Sequence, residues 1–105
     1  YKNLKRNAKR RNISVNITID DIKTVYDKQK GLCALTNNKL THNKYMLKKE
    51  RLTEIYNLSV DRKDSRKGYS VDNIQLITNI ANQIKSNASN QDFIEICKRV
   101  KNKCT

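Results

Sequence analysis

The chain has 105 residues and carries 23 Lys and Arg against 10 Asp and Glu, a net charge of +13. That length sets a single domain, 1–105, with a thin core. The charge points to a polyanionic partner, nucleic acid before an anionic membrane surface, the plainer alternative being a solvated basic surface or a ribosome-like tail. Hydrophobic residues make up 36% and recur with period, which argues against disorder, and none of the apolar runs approaches a membrane span. No signal-peptide core is visible.

In chain order, the first twelve residues hold six cations and no acid. They read as a basic helix, about 1–12, with Leu4 and Ala8 on one face. Ile13, Val15 and Ile17 alternate with polar residues, as in a short extended piece. Thr18 and Asp21 form a capping-box-like start. The helix they open is expected to bury Ile19, Ile22, Val25 and Tyr26 and to stop at Gly31. Leu32–Thr36 and Lys39–Leu40 read as two short strands joined by Asn37-Asn38, residues that tolerate a positive φ. Met46, Leu47, Leu52, Ile55 and Tyr56 mark residues 41–57 as a partly helical insert.

Leu58–Lys63 reads as a strand with Leu58 and Val60 on one face and Ser59 and Asp61 on the other. A basic loop with Gly68 follows, then Asn73 and a second strand, Ile74–Ile77. Residues 78–86 read as a helix that buries Ile77, Ile80, Ala81 and Ile84, with Asn82 beside that stripe. A last helix, about 90–103, carries Phe93, Ile94, Cys97, Val100 and Cys104 at helical spacing. Core packing is the expectation for Cys97 and Cys104.

The three cysteines are odd in number and form no CxxC pair. Structural zinc needs four ligands, usually in close pairs. Only Cys33, Cys97, Cys104 and His42 are on offer, far apart, so no structural zinc is expected. Free thiols in a reducing, intracellular setting fit better than secretion.

The segment Leu58–Lys85, LSVDRKDSRKGYSVDNIQLITNIANQIK, concentrates the chemistry. Magnesium and similar hard ions take oxygen ligands, often one or two carboxylates together with phosphate and water. Asp61 offers a carboxylate and Asn82 an amide oxygen on neighbouring elements. The plainer alternative is that Asp61 pairs with nearby cations in a surface loop.

The same residues carry a resemblance. Asp61 at a strand end, Gly68-Tyr69 in the loop, and Asn73 and Asn82 nine residues apart around IQLIT resemble the motif of HNH endonucleases, the ββα-metal nucleases. VDRKDSRKGYSVDNIQLI is similar to a phage-type subgroup whose strand ends in Asp-Arg where the usual form has Asp-His. The leader KRNAKRRNISVNITIDDIKTVYDKQKGLCALTNNKL also resembles that subgroup, with Asn37 in place of the usual Gly. The similarity spans most of the chain and is weakest over residues 41–57.

The resemblance implies a small α+β domain with a ββα-metal core at about 58–87, flanked by N-terminal and C-terminal helices. It implies a divalent-metal-dependent endonuclease acting on double-stranded DNA, placed in a phage or its host's cytoplasm. Asp61 and Asn82 would hold one divalent cation, Mg2+ or Mn2+. Asn73 would bond the loop backbone and keep the strands in register. Arg62, Lys63, Arg66, Lys67 and Lys85 would surround phosphates, and Lys5, Arg6, Lys9, Arg10 and Arg11 would extend the contact along the first helix.

Arg62 departs from the pattern, because a guanidinium cannot accept a proton at neutral pH. Water activation would then fall to His42, to Tyr69, to Asp64, or to no side chain. The alternative is a catalytically degenerate HNH-fold module that binds nucleic acid within a larger assembly.

Overall fold

The computed structural model describes residues 1–42 and 55–104. Much of the expected insert, with Met46, Leu47 and Leu52, lies outside them. Within them the protein is a mixed α+β structure of four α-helices and two two-stranded sheets.

Helix α1 spans Lys2–Arg10 and strand β1 spans Val15–Asn16. Helix α2, Ile19–Lys28, opens on a complete capping box. The Asp21 backbone N–H donates to the Thr18 hydroxyl, and the Thr18 N–H donates to the Asp21 carboxylate at 2.9 Å. Two orphan donors of the first turn are thereby satisfied. The helix ends before Gly31, because Lys30 and Gly31 both take a positive φ.

The expected strands at 32–40 are instead a tight turn with a single antiparallel bridge, Leu32 to Lys39. Asn37 takes the positive φ expected of it. The segment finds its partner elsewhere, through an Ala34 N–H bond to the Leu76 carbonyl.

Strands β2, Leu58–Arg62, and β4, Ile74–Thr78, form an antiparallel pair in the register Leu58 to Thr78 and Arg62 to Ile74. Between them lies β3, Tyr69–Ser70, and a short 3-10 turn, Val71–Asn73. β3 pairs in parallel with β1, Val15 to Tyr69, and so ties the leader to the loop. Helix α3 is Asn79–Lys85, capped by the Thr78 hydroxyl, and α4 is Asn90–Cys104.

Every residue of β4 is buried. Cys33, Leu40, Leu76, Ile77 and Ala81 form the core, and Ile22, Val25, Tyr26, Leu58 and Val60 pack against it. Gln29 fastens α2 to the strand. Its amide oxygen accepts from the Leu76 N–H at 3.0 Å, and its amide nitrogen donates to the Leu76 carbonyl at 2.8 Å. One side chain thus acts as a strand partner for β4.

Three burial expectations are corrected. Ile19 is 51% exposed, since the core ends one turn short of the start of α2. Ile84 is 67% exposed. The inward stripe of α3 runs through Ala81 and Lys85, and Ile84 points about 100° away from Lys85. Finally, α4 has no buried residue, and Cys97 and Cys104 are exposed thiols. Helical spacing gathers apolar side chains on one face without supplying anything to cover it.

Gly68 is required by a close approach. A Cβ there would strike the Ser14 hydroxyl and lie 2.7 Å from the Ser14 carbonyl oxygen, which itself accepts from the Tyr69 N–H at 2.9 Å. Gly68→Ala is expected to force β1 away from β3 and to cost about 1–3 kcal/mol, the usual range for overpacking. Urea denaturation checks this, and an unchanged midpoint would contradict it.

Candidate functional site

Antiparallel register puts Asp61 directly opposite Gln75, on the sheet face that also carries Ser59. Helix α3 lies over this face. Ser59 and Asp61 are two apart on a strand, and Asn82 and Lys85 are three apart on a helix. These spacings match well enough for the two pairs to form side by side. The Asn82 amide donates to the Ser59 hydroxyl at 2.7 Å, and the Lys85 ammonium stands 2.9 Å from Asp61 Oδ2.

Asp61 and Lys85 form a buried ion pair, with side chains 6% and 1% exposed. Taking charges out of water is costly unless each finds partners, and here each finds a second one. Gln75 Nε2 donates to Asp61 Oδ2 at 2.9 Å, and Lys85 Nζ donates to the Arg62 carbonyl at 3.1 Å. Gln75 in turn exchanges two amide bonds with Asn90, at 2.7 and 3.0 Å. The first residue of α4 is thereby fixed to the carboxylate.

Asn73 is 7% exposed and clamps the loop. Its carbonyl oxygen accepts from the Asp64 N–H at 3.0 Å, while its amide donates to the carbonyls of Asp64 and Gly68 at 3.0 and 2.9 Å. The Lys63 N–H adds a 2.8 Å bond to the Asn73 carbonyl.

Arg62 is buried and also holds the loop. Its Nη1 donates to the carbonyls of Ser65 and Lys67 at 2.7 and 2.9 Å, and its guanidinium lies 5.4 Å from the Tyr69 ring centroid. Arg62 and Tyr69 are therefore engaged with each other and with the loop. His42 is exposed, with its ring 5.6 Å from that of Tyr26 on α2. Among the described residues the groups bonded to the Asp61 carboxylate are Lys85 and Gln75, and neither His42 nor Tyr69 is among them.

The cations divide into two groups. Lys85 and Arg62 are turned inward, so neither presents its charge to solvent as expected of a phosphate ligand. Lys63, Arg66 and Lys67 are exposed on the loop, and Lys5, Arg6, Lys9, Arg10 and Arg11 are exposed on and just after α1. Lys5, Arg6 and Lys9 line a cleft of about 560 Å³ closed by Asn12–Val15. Arg11 reaches Asn87 Oδ1 at 3.4 Å, and the Ser65 hydroxyl donates to the Asn87 carbonyl. These bonds bring the end of α1, the loop and the turn after α3 together on one basic surface.

Arg66 makes a two-pronged pair with Asp64, both contacts 3.1 Å. These side-chain bonds, followed by the Arg66 N–H, lower the Asp64 carboxyl from 3.8 to about 2. A carboxylate whose folded value lies below its unfolded one stabilises the fold above pH 3.8, and that contribution fades as pH falls towards 2. A carboxyl NMR titration should give a midpoint near 2 for Asp64. Arg66→Ala should move that midpoint back towards the ordinary carboxylate range. An unmoved midpoint would contradict the assignment.

Among the described residues, no three His, Cys, Asp or Glu side chains gather as a metal cage. The donor set still suits a hard ion in kind: the Asp61 carboxylate, the Asn82 amide oxygen and the Arg62 carbonyl are all oxygens. Asp61 would be the one charged ligand, so phosphate and water oxygens would have to complete the shell.

Sequence reasoning missed Gln75, Asn90 and Ser59. Gln75 did leave a signal, since it is the lone amide inside the apolar run IQLI. Compared with protein-family models, curated proteins and solved structures, the chain matches none of them. Among the described residues no helix is long and apolar enough to cross a membrane.

Proposed function

We propose that this domain is a DNA endonuclease of the HNH, ββα-metal type. The observation that carries the reading is the Asn73 clamp between β2 and β4. It is the role the HNH resemblance assigns to the central Asn. With it, Asp61 is the penultimate residue of β2 and Asn82 faces the same strand from the following helix.

In this reading Asp61 and Asn82 hold one Mg2+ or Mn2+. The ion would act as a Lewis acid on the scissile phosphate and stabilise the leaving oxygen. Lys63, Arg66 and Lys67 bind the flanking phosphates, and the cations of α1 extend that contact. Arg62 keeps the loop in shape and takes no proton, so any loss from an absent general base is on the order of 10²–10⁴-fold in rate.

A second reading is a module that binds double-stranded DNA without cutting it. The buried Asp61–Lys85 pair favours it, because the carboxylate is already neutralised.

A supercoiled-plasmid assay separates the two. The endonuclease reading expects nicking with Mg2+ or Mn2+, none with chelator, and strong loss in Asn82→Ala. Binding that never leads to nicking with any divalent ion supports the second reading.

A further inference from the structure

The point occupied by the Lys85 ammonium is already built for a cation. The Asp61 carboxylate and the Arg62 carbonyl both aim oxygens at it, at 2.9 and 3.1 Å. Lys85 is itself the last residue of α3, the end where the helix dipole favours positive charge. A divalent ion on Asp61 Oδ2 would sit about 2.0–2.6 Å from that oxygen, beside the Nζ charge. Oδ2 already accepts from both Lys85 and Gln75, so an ion taking that oxygen would have to displace a donor.

We propose that Lys85 is the resident cation of the Asp61 site, and that a divalent ion loads only when nucleic-acid phosphate draws the lysine out. The proposal rests on the endonuclease reading of Asp61.

The side chain can make this exchange. Lysine is a compact charge on a flexible four-carbon stem. Lys85 is the last residue of α3, and Ser86 after it takes a φ of 51°. Just beyond, the chain is bonded to the basic loop, from the Asn90 N–H to the Lys63 carbonyl and from the Ser65 hydroxyl to the Asn87 carbonyl. Phosphate gathered by exposed Lys63 and Arg66 would arrive beside the turn that follows Lys85. The closed state keeps a buried carboxylate neutralised, and it couples metal loading to the presence of substrate.

Mn2+ binding, read by the paramagnetic resonance of the free ion, tests this without any cleavage. Lys85→Met should bind one Mn2+ at least tenfold tighter than wild type, and Asp61→Asn in the same chain should abolish the gain. Equal affinity in wild type and Lys85→Met overturns the proposal. If Asp61→Asn then abolishes that shared affinity, the metal reading of Asp61 survives without the gate. If no variant binds Mn2+, both fall.

Because Lys85→Met removes one partner of a buried pair, a measurement on the wild-type chain accompanies it. The Lys85 Nζ–H resonance, protected from exchange in the free protein, should lose that protection when Mg2+ and a short DNA duplex are added together. Protection that persists with the duplex bound overturns the proposal.

Discussion

Asn73→Ala is expected to lower the unfolding free energy by about 3 kcal/mol or more. The side chain makes three hydrogen bonds to backbone groups of one loop. Each is worth roughly 1 kcal/mol net, and each buried group left unpaired adds a desolvation penalty of about 1–3 kcal/mol. Total stability for such a domain is only about 5–15 kcal/mol. The loss should appear in urea denaturation as a lower midpoint with an unchanged slope. Asn73→Asp should do no better, since it would turn a carboxylate towards the carbonyls of Asp64 and Gly68. A cost below about 1 kcal/mol, within the range of a single ordinary hydrogen bond, would mean that the loop keeps its shape without the clamp.

The second large effect concerns the buried ion pair. Lys85→Met leaves the Asp61 carboxylate, among the described residues, with Gln75 as its donor, and removing one partner of such a pair typically costs about 3–5 kcal/mol. Asp61→Asn alone should cost a comparable amount, because the ammonium would keep the Arg62 carbonyl and lose its counter-charge. The double variant, Asp61→Asn with Lys85→Met, buries no charge there and should regain most of the loss. Denaturation of the four proteins gives the coupling directly. Simple addition of the two single effects would mean that the ion pair is not the source of either.

The elements that build this site were largely legible in the sequence, and for local reasons. Leu58 and Val60 alternate with Ser59 and Asp61, so β2 and its faces could be read. The run after Asn73 gave β4, and Thr18 with Asp21 gave the start of α2. The misreadings came from contacts that no local pattern encodes. Lys85 is expected among the phosphate-binding cations, and apolar spacing alone draws the stripe of α3 through Ile84. The true stripe follows a lysine whose partner lies 24 residues earlier in the chain. The β1–β3 pairing depends on Gly68 meeting Ser14, far apart in sequence. Cys97 and Cys104 were correctly placed on a helix and wrongly placed in a core.

The same distinction applies to Arg62. In the sequence it stood where HNH nucleases use a histidine, which invited a search for a substitute base. In the fold it grips the carbonyls of Ser65 and Lys67 and stacks on Tyr69. Its place in the pattern is thus filled by a residue that shapes the loop. In the proposed endonuclease reading, the chemistry of the site then rests on Asp61.

In that reading Asp61 acts on the phosphodiester through the ion it would hold, and does more than help hold DNA. The direct measurement follows binding and Mg2+-dependent nicking of one supercoiled plasmid with wild type and Asp61→Asn, each verified as folded by circular dichroism. The account predicts that both bind the plasmid with similar affinity, that wild type nicks it, and that nicking by Asp61→Asn falls by about a hundredfold or more. Equal nicking by both proteins, or a wild type that binds and never nicks with Mg2+ or Mn2+, would contradict it.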